Sequence, residues 1–451
     1  MTGIEIIVKE LNELSSNDIR QVGIQWNGKF LTRLFRVSTN SEDTYLHAPP
    51  SDLAFWILDN WWRIFHEPEP AGEVTAEWRL AHEMSSIGGG YAWPPIRIWG
   101  EGDQVGIRTQ PQVSDSPGPV TFAADHLCWI PSADVESSFD SFLEHIRELA
   151  TDAADTLLDL YCQVKTERED PAVAIWRTLE AELGFDVDEA PVELMSQLNN
   201  LIGEFGLETV SEACVSHQGN GVIHALKEGL WAVETSRTKV DVSTAMAAAR
   251  IPADDAPDLD ALARSKAPPW ALAEEAAGMV RQNLSVPSGP IANRRLRELL
   301  GVSTYDFSDI RSFTSIPYGI RQRDSDNPIC TVALRAGRTE AKRFQLCRVL
   351  GDAIWSANDR LGLISPAKSI RQKFQRAFAQ SFLCPFQDLI NYIGTDSPAP
   401  EDITAAAQRF RVSERLVQST LVNKGVVDRK QYEQLIAAGD APDPTYSCAY
   451  D

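Results

Sequence analysis

At His82-Glu83 a histidine is followed directly by glutamate. That dipeptide opens the His-Glu-x-x-His helix with which metallopeptidases grip zinc between two imidazoles and activate its water with the glutamate. The second imidazole would fall at position 86, which is Ser86, so the chemistry is incomplete there. His126 and Cys128 bring two ligand types close together, but a zinc site needs four donors, and a satisfied histidine is the expectation. Gly88-Gly89-Gly90-Tyr91 could cradle an anion with backbone N–H groups, yet it lacks the spacing and the lysine of a phosphate loop and reads as a connector. No Gly-x-Ser-x-Gly elbow supplies a nucleophile. The seven cysteines (Cys128, Cys162, Cys214, Cys330, Cys347, Cys384, Cys448) are scattered and never form Cys-x-x-Cys, the pattern of buried reduced thiols rather than of a disulfide framework or zinc ribbon.

A second segment has the shape of a zinc helix without its ligands. Lys342 through Asp352 reads Lys-Arg-Phe-Gln-Leu-Cys-Arg-Val-Leu-Gly-Asp, and Arg376-Ala377-Phe378-Ala379-Gln380-Ser381-Phe382-Leu383-Cys384-Pro385 follows it. These two segments resemble the ImmA/IrrE peptidase domain, whose helices read R-F-T-L-A-H-E-L-G-H and E-A-N-R-F-A-A-E-L-L-M-P. Arg343, Phe344, Leu346, Leu350 and Gly351 match the first pattern. The three positions of His-Glu-x-x-His hold Arg348, Val349 and Asp352, the third-ligand position falls on Phe374, and the last histidine of the chain is His224. The resemblance covers about residues 265 to 430 and includes a helical pair, Ile403–Ala406 and Glu414–Leu421 about the turn Phe410–Ser413, that is similar to a small helix-turn-helix. It implies a zincin-like domain with no catalytic residue, no bound metal and no cofactor, in which Arg348 and Asp352 pair where the metal would sit. Arg343, Arg371, Lys373 and Arg376 are then candidate contacts for an anion or a partner. Proteins of that family act in prophage regulation, stress responses, toxin–antitoxin loci and phage defence, cleaving or binding a repressor.

The elements that must position these residues follow from the rest of the chain. Its 451 residues predict two or three domains of about 150 residues each. No apolar run is long enough for a membrane span, and the N-terminus lacks a signal-peptide pattern, so a cytoplasmic location with no membrane partner is expected. The net charge of −22 is uneven: residues 301–451 hold 19 Lys and Arg against 17 Asp and Glu, which leaves −24 for the first 300. Arg335 through Arg376 hold ten basic residues against three acidic ones. That cluster could draw a nucleic acid or an acidic surface, or be neutralised within the molecule by the acidic half.

An α+β chain is predicted. Residues 1–150 form a Trp-rich α+β module, with eight of the 12 tryptophans by Trp129, a hairpin at Asn27-Gly28 and a second across Gly100-Glu101-Gly102-Asp103. The Trp56, Trp61, Trp62 cluster reads as core filling, with an aromatic ligand platform as the alternative. Residues 151–235 carry helical periodicity in Leu157, Leu158, Tyr161 and Val164, then Leu194, Leu198, Leu201 and Ile202. Residues 236–268 have the Ala, Asp and Pro content of an exposed linker, and 269–451 the degenerate peptidase-like domain. There a helix from Trp270 to Leu284 precedes strands near Ser312–Ile316 and Ile329–Leu334, and Phe344, Cys347, Leu350 and Ile354 form the stripe a helix would bury. The function expected is that of a catalytically inactive, peptidase-like regulator or sensor with a protein partner. A nucleic-acid-binding regulator is the disfavoured alternative, and a metallopeptidase with unconventional ligands such as Cys347 and Cys384 stands behind it.

Overall fold

The computed structural model describes residues 3–10, 19–70, 72–112, 118–149, 154–249, 267–323, 329–356, 359–395 and 397–428. The chain is mixed α/β and divides into two compact units between Val192 and Glu193. No helix among the described residues is long and apolar enough to cross a membrane.

The first unit runs β1 (Ile4–Lys9), β2 (Arg20–Trp26), β3 (Lys29–Phe30), β4 (Leu34–Arg36), β5 (Ser41–Asp43), β6 (Leu46–Ala48), α1 (Pro50–Asp59), α2 (Trp61–His66), α3 (Ala76–His82), β7 (Ile96–Glu101), β8 (Gln104–Thr109), β9 (Val120–Phe122), β10 (His126–Pro131), α4 (Ser132–Leu149), α5 (Ala154–Glu169) and α6 (Pro171–Glu182). Its strands pair antiparallel in three small sheets, β1-β2-β3 with β6 also on β2, β10-β8-β7, and β5-β4-β9. The β2–β3 turn has positive φ at both Asn27 and Gly28, as a type I′ turn requires. Trp56, Trp61, Trp62, Trp78, Trp93 and Trp99 are buried. A buried indole N–H usually finds a partner, and four do: Trp56 donates to the Leu80 carbonyl, Trp78 to the Pro68 carbonyl, Trp62 to Glu167 and Trp99 to Glu101.

The second unit runs α7 (Val192–Phe205), α8 (Leu207–Ser216), α9 (Val222–Thr235), β11 (Lys239–Asp241), α10 (Ser243–Ala249), α11 (Pro269–Asn283), α12 (Asn293–Leu299), β12 (Gly319–Arg323), β13 (Ile329–Ala333), α13 (Thr339–Trp355), β14 (Leu361–Ile364), α14 (Ile370–Leu383), α15 (Phe386–Ile393), α16 (Pro400–Phe410) and α17 (Glu414–Asn423). One antiparallel sheet orders its strands β11-β13-β12-β14. Helix α9 packs on β12 and β13, α8 on β14, and α14 between α11 and α13.

Three expectations change. The helical stretch 151–235 is shared between the units, with α5 and α6 in the first and the helices after Glu193 in the second. Residues 239–249, expected in an exposed linker, form β11 and α10, because Val240, Val242 and Ala245 bury in the core of the second unit. Residues 250–266 of that stretch lie outside the described residues, as does Cys448. The partner of β13 is β12 at Gly319–Arg323, whereas Ser312 makes only a lone bridge to Leu334.

Candidate functional site: an arginine–carboxylate network

Helix α13 starts with Glu340 in its first turn, where a carboxylate suits the helix dipole. The stripe Phe344, Cys347, Leu350, Ile354 is buried as its spacing predicts, but so is every other side of the helix from Ala341 to Ile354. Arg348 and Asp352, which point off the apolar stripe, are therefore enclosed too. Helix α14 is capped by Ser369, whose hydroxyl oxygen accepts from the Gln372 N–H. Its face Phe374, Phe378, Phe382 at i, i+4, i+8 forms a stacked aromatic ladder with centroids 6.3 and 5.6 Å apart, and Trp355 packs on Phe374 at 5.1 Å. Phe374 thus belongs to the apolar core. The polar face of α14 is Arg371, Gln372 and Gln375.

Asp352 is the hub. Its Oδ1 accepts from Arg371 Nε at 2.6 Å and Gln375 Nε2 at 2.7 Å, and its Oδ2 from Arg321 Nε of β12 at 2.7 Å. The side chains of Asp352 and Arg371 are 0% exposed and that of Arg321 1%. Burial pushes the Asp352 carboxyl up, but the guanidiniums of Arg371 and Arg321 outweigh it and hold it below the usual carboxylate range. Gly362 of β14 makes this approach feasible, since a Cβ there would lie 1.8 Å from Asp352 Oδ2.

Arg371 Nη1 continues to Asp359 at 2.9 Å and Glu208 at 3.3 Å. Arg348 donates Nη2 to the Ser365 carbonyl at 2.7 Å, to Gln375 Oε1 at 3.3 Å and to Gln372 Oε1. Gln375 therefore bridges Arg348 to Asp352 through its two amide ends. Gln372 Nε2 donates to Glu212 of α8 at 2.7 Å, and Glu212 also accepts from Ser369 at 2.6 Å. Burial pushes the Glu212 carboxyl up to about 7 against the downward pull of Arg371.

The expected Arg348–Asp352 ion pair is corrected accordingly: the guanidiniums that hold Asp352 come from β12 and α14, and Arg348 takes amide and carbonyl oxygens. The candidate anion contacts are corrected as well, for none offers an open cation. Arg343 is fully buried and donates to the Arg411 and Ile291 carbonyls and to Asn293; Arg376 is buried with Nη1 on the Ala367 carbonyl; Lys373 is buried; Arg371 sits in the network. Val349, at the position of the catalytic glutamate in the family pattern, is core.

Cys347 and Cys384 are fully buried, and burial pushes both thiols up to about 12, which opposes the thiolate a metal needs. No group of three or more His, Cys, Asp or Glu among the described residues is arranged to hold a metal ion. His82 is buried, with Nδ1 2.7 Å from the Ile98 carbonyl and Nε2 2.9 Å from Glu67, and Trp78 stacks on its ring. Cys162 is exposed, unlike the other described cysteines. The helical pair forms as α16 and α17, with Arg411 in the left-handed region at the turn, but α17 buries Leu416, Val417, Thr420 and Leu421.

Sequence reasoning missed Arg321, Gln372, Gln375, Glu208 and Glu212. An arginine at an inward position of the strand Gly-Ile-Arg-Gln-Arg and two carboxylates at i, i+4 on α8 were the available signals. The chain matches no protein-family model, no curated protein and no solved structure.

Proposed function

We propose that the chain is a catalytically inactive, peptidase-like regulator that works by binding a protein partner, in a setting such as phage defence, a toxin–antitoxin locus or a stress response. The observation that carries this reading is the state of Asp352. At the position where the ImmA/IrrE pattern has a metal ligand, its carboxylate oxygens are taken by two guanidiniums and an amide, with no exposure to solvent. A catalytic zinc keeps an open position for water or substrate, whereas a solvent-free carboxylate with both oxygens held in charge-assisted hydrogen bonds is suited to fixing two helices and a sheet.

The order α11, β12, β13, α13, β14, α14 supports the zincin-like reading of the second unit, because it brings the two motif helices side by side after the strands. Elemental analysis and peptide hydrolysis on the zinc-supplemented full chain test the proposal together. The expected result is no stoichiometric zinc and no turnover. One zinc per chain, with hydrolysis lost on Cys347→Ser or Cys384→Ser, would sink it.

A further inference from the structure

The acidity of the chain is confined to one unit. Residues 1–192 contain 13 Lys and Arg against 33 Asp and Glu, a formal charge of −20, and residues 193–451 carry only −2. A field of that sign concentrates basic partners over the first unit but gives them no address.

A groove of about 450 Å³ among α2, α4, α5 and α6 supplies one, lined by Trp61, Trp62, His66, Glu136, Asp140 and Arg168. The Arg168 guanidinium lies 4.5 Å from the centroid of the Trp61 ring, and donates Nη1 to Asp140 at 3.0 Å and Nη2 to Glu136 at 2.9 Å. The chain thus displays what the groove holds: a planar cation stacked on indole and forked between two carboxylates, a geometry that suits arginine better than lysine. Arg168, Glu136 and Asp140 remain 23%, 35% and 28% exposed, so the internal pairing is solvent-screened and weakly held. Lys165 and Glu169, both exposed at the rim, cancel in charge.

We propose that this groove is a docking site for an arginine side chain on a basic segment of a protein partner, which takes the place of Arg168 over Trp61. The inference stands on the first unit alone and does not depend on how the second is read. Its test is fluorescence anisotropy with an arginine-bearing peptide and its lysine counterpart of equal charge, titrated with the full chain at near-physiological salt. Four proteins are compared: the wild type, Arg168→Ala, the groove variant Glu136→Gln with Asp140→Asn, and a control, Glu148→Gln with Asp155→Asn, that removes equal charge from exposed positions of α4 and α5.

The arginine peptide is expected to bind better than the lysine one. Binding should tighten several-fold in Arg168→Ala, weaken by about tenfold or more in the groove variant through loss of the paired carboxylates, and change little in the control. Equal weakening of groove and control variants, or no preference for arginine in wild type, would show attraction by the overall field only and overturn the site. No binding to wild type and Arg168→Ala alike would overturn it too. The wild-type preference stands as a readout even if the groove variant fails to fold.

Discussion

Replacing Asp352 with leucine separates the network described here from a simple pair on α13. The substitution removes the acceptor for Arg321 Nε, Arg371 Nε and Gln375 Nε2 at one stroke. Stripping the partner from a buried charge costs about 3–5 kcal/mol, and leaving a buried amide donor unmet about 1–3 kcal/mol. Arg371 keeps Asp359 and Glu208, and Arg321 keeps the Asp359 carbonyl, so the low end applies to each. The sum, about 6–8 kcal/mol, is comparable with the whole stability of a domain, about 5–15 kcal/mol, and the second unit should open.

Arg348→Met should cost about 2–4 kcal/mol by leaving the Ser365 carbonyl and Gln375 amide oxygens without their donor, while Gln372 Oε1 keeps the Ser365 N–H. Adding Asp352→Leu to it should rescue nothing, whereas Asp352→Leu with Arg321→Met and Arg371→Met should recover most of the loss, since apolar replacement of a whole buried ionic cluster is tolerated. Nine of the 12 tryptophans lie in the first unit, so fluorescence would follow the wrong body. Hydrogen exchange of peptides from residues 339–383 across a denaturant series reads the right one. If the Arg348→Met, Asp352→Leu pair recovers stability, or the triple variant does not, the assignment of partners is wrong.

The remaining predictions use the same network and its surroundings. Gly362→Ala places a Cβ against Asp352 and should destabilise the second unit by about 3 kcal/mol or more, as overpacking against a fixed polar group does; protection in residues 339–383 unchanged from wild type would contradict it. Among the described cysteines Cys162 should be alkylated first in the native chain, with Cys347, Cys384 and Cys128 protected by burial that pushes each thiol up to about 12. Peptide mapping after a brief iodoacetamide pulse checks the order, and early labelling of Cys347 would contradict it. Glu212 has its carboxyl raised from 4.5 to about 7, so folding binds a proton. Its contribution is full below pH 4.5 and is lost as pH rises to about 7, a change of about 3 kcal/mol at 1.36 kcal/mol per pH unit. Glu212→Gln should remove that slope from the exchange-derived stability of the second unit, and a variant with the wild-type slope would contradict the assignment.

Local structure was readable where one residue type answers one geometric demand. Asn27-Gly28 gave its turn, the Leu272, Ala276, Met279, Val280 spacing gave α11 although Met279 is only half-buried, and the Phe344 to Ile354 stripe gave the inward face of α13. The site was readable only as a location. Periodicity separates Arg348 and Asp352 from the apolar stripe, and a surface helix would expose them, but a helix enclosed on all sides has no solvent face to give. Which cation neutralises Asp352 depends on β12 and α14 arriving from 31 residues before and 19 after, and no pattern within α13 encodes that. Residues 239–249 were misread for a similar reason: a three-residue strand is stabilised by the β13 edge it joins, not by its own composition.

The charge pattern carries a different lesson. In sequence, the basic stretch from Arg335 to Arg376 looks like the counterpart of the acidic first half, and an anion-binding surface would follow. In the fold several of those ten cations are satisfied inside the second unit, Arg343 on two carbonyls and Asn293, Arg348 on Ser365 and two glutamines, Arg371 on Asp352, and Lys342 on the Ile310 carbonyl, while Arg338 and Arg360 are exposed. With 29 basic against 31 acidic side chains, the second unit carries a net charge of only −2 and exerts little long-range field. The −20 of the first unit has no such internal answer, with 33 carboxylates against 13 basic side chains. The long-range field of the chain therefore comes from the first unit, while the buried network of the second holds its helices and sheet together.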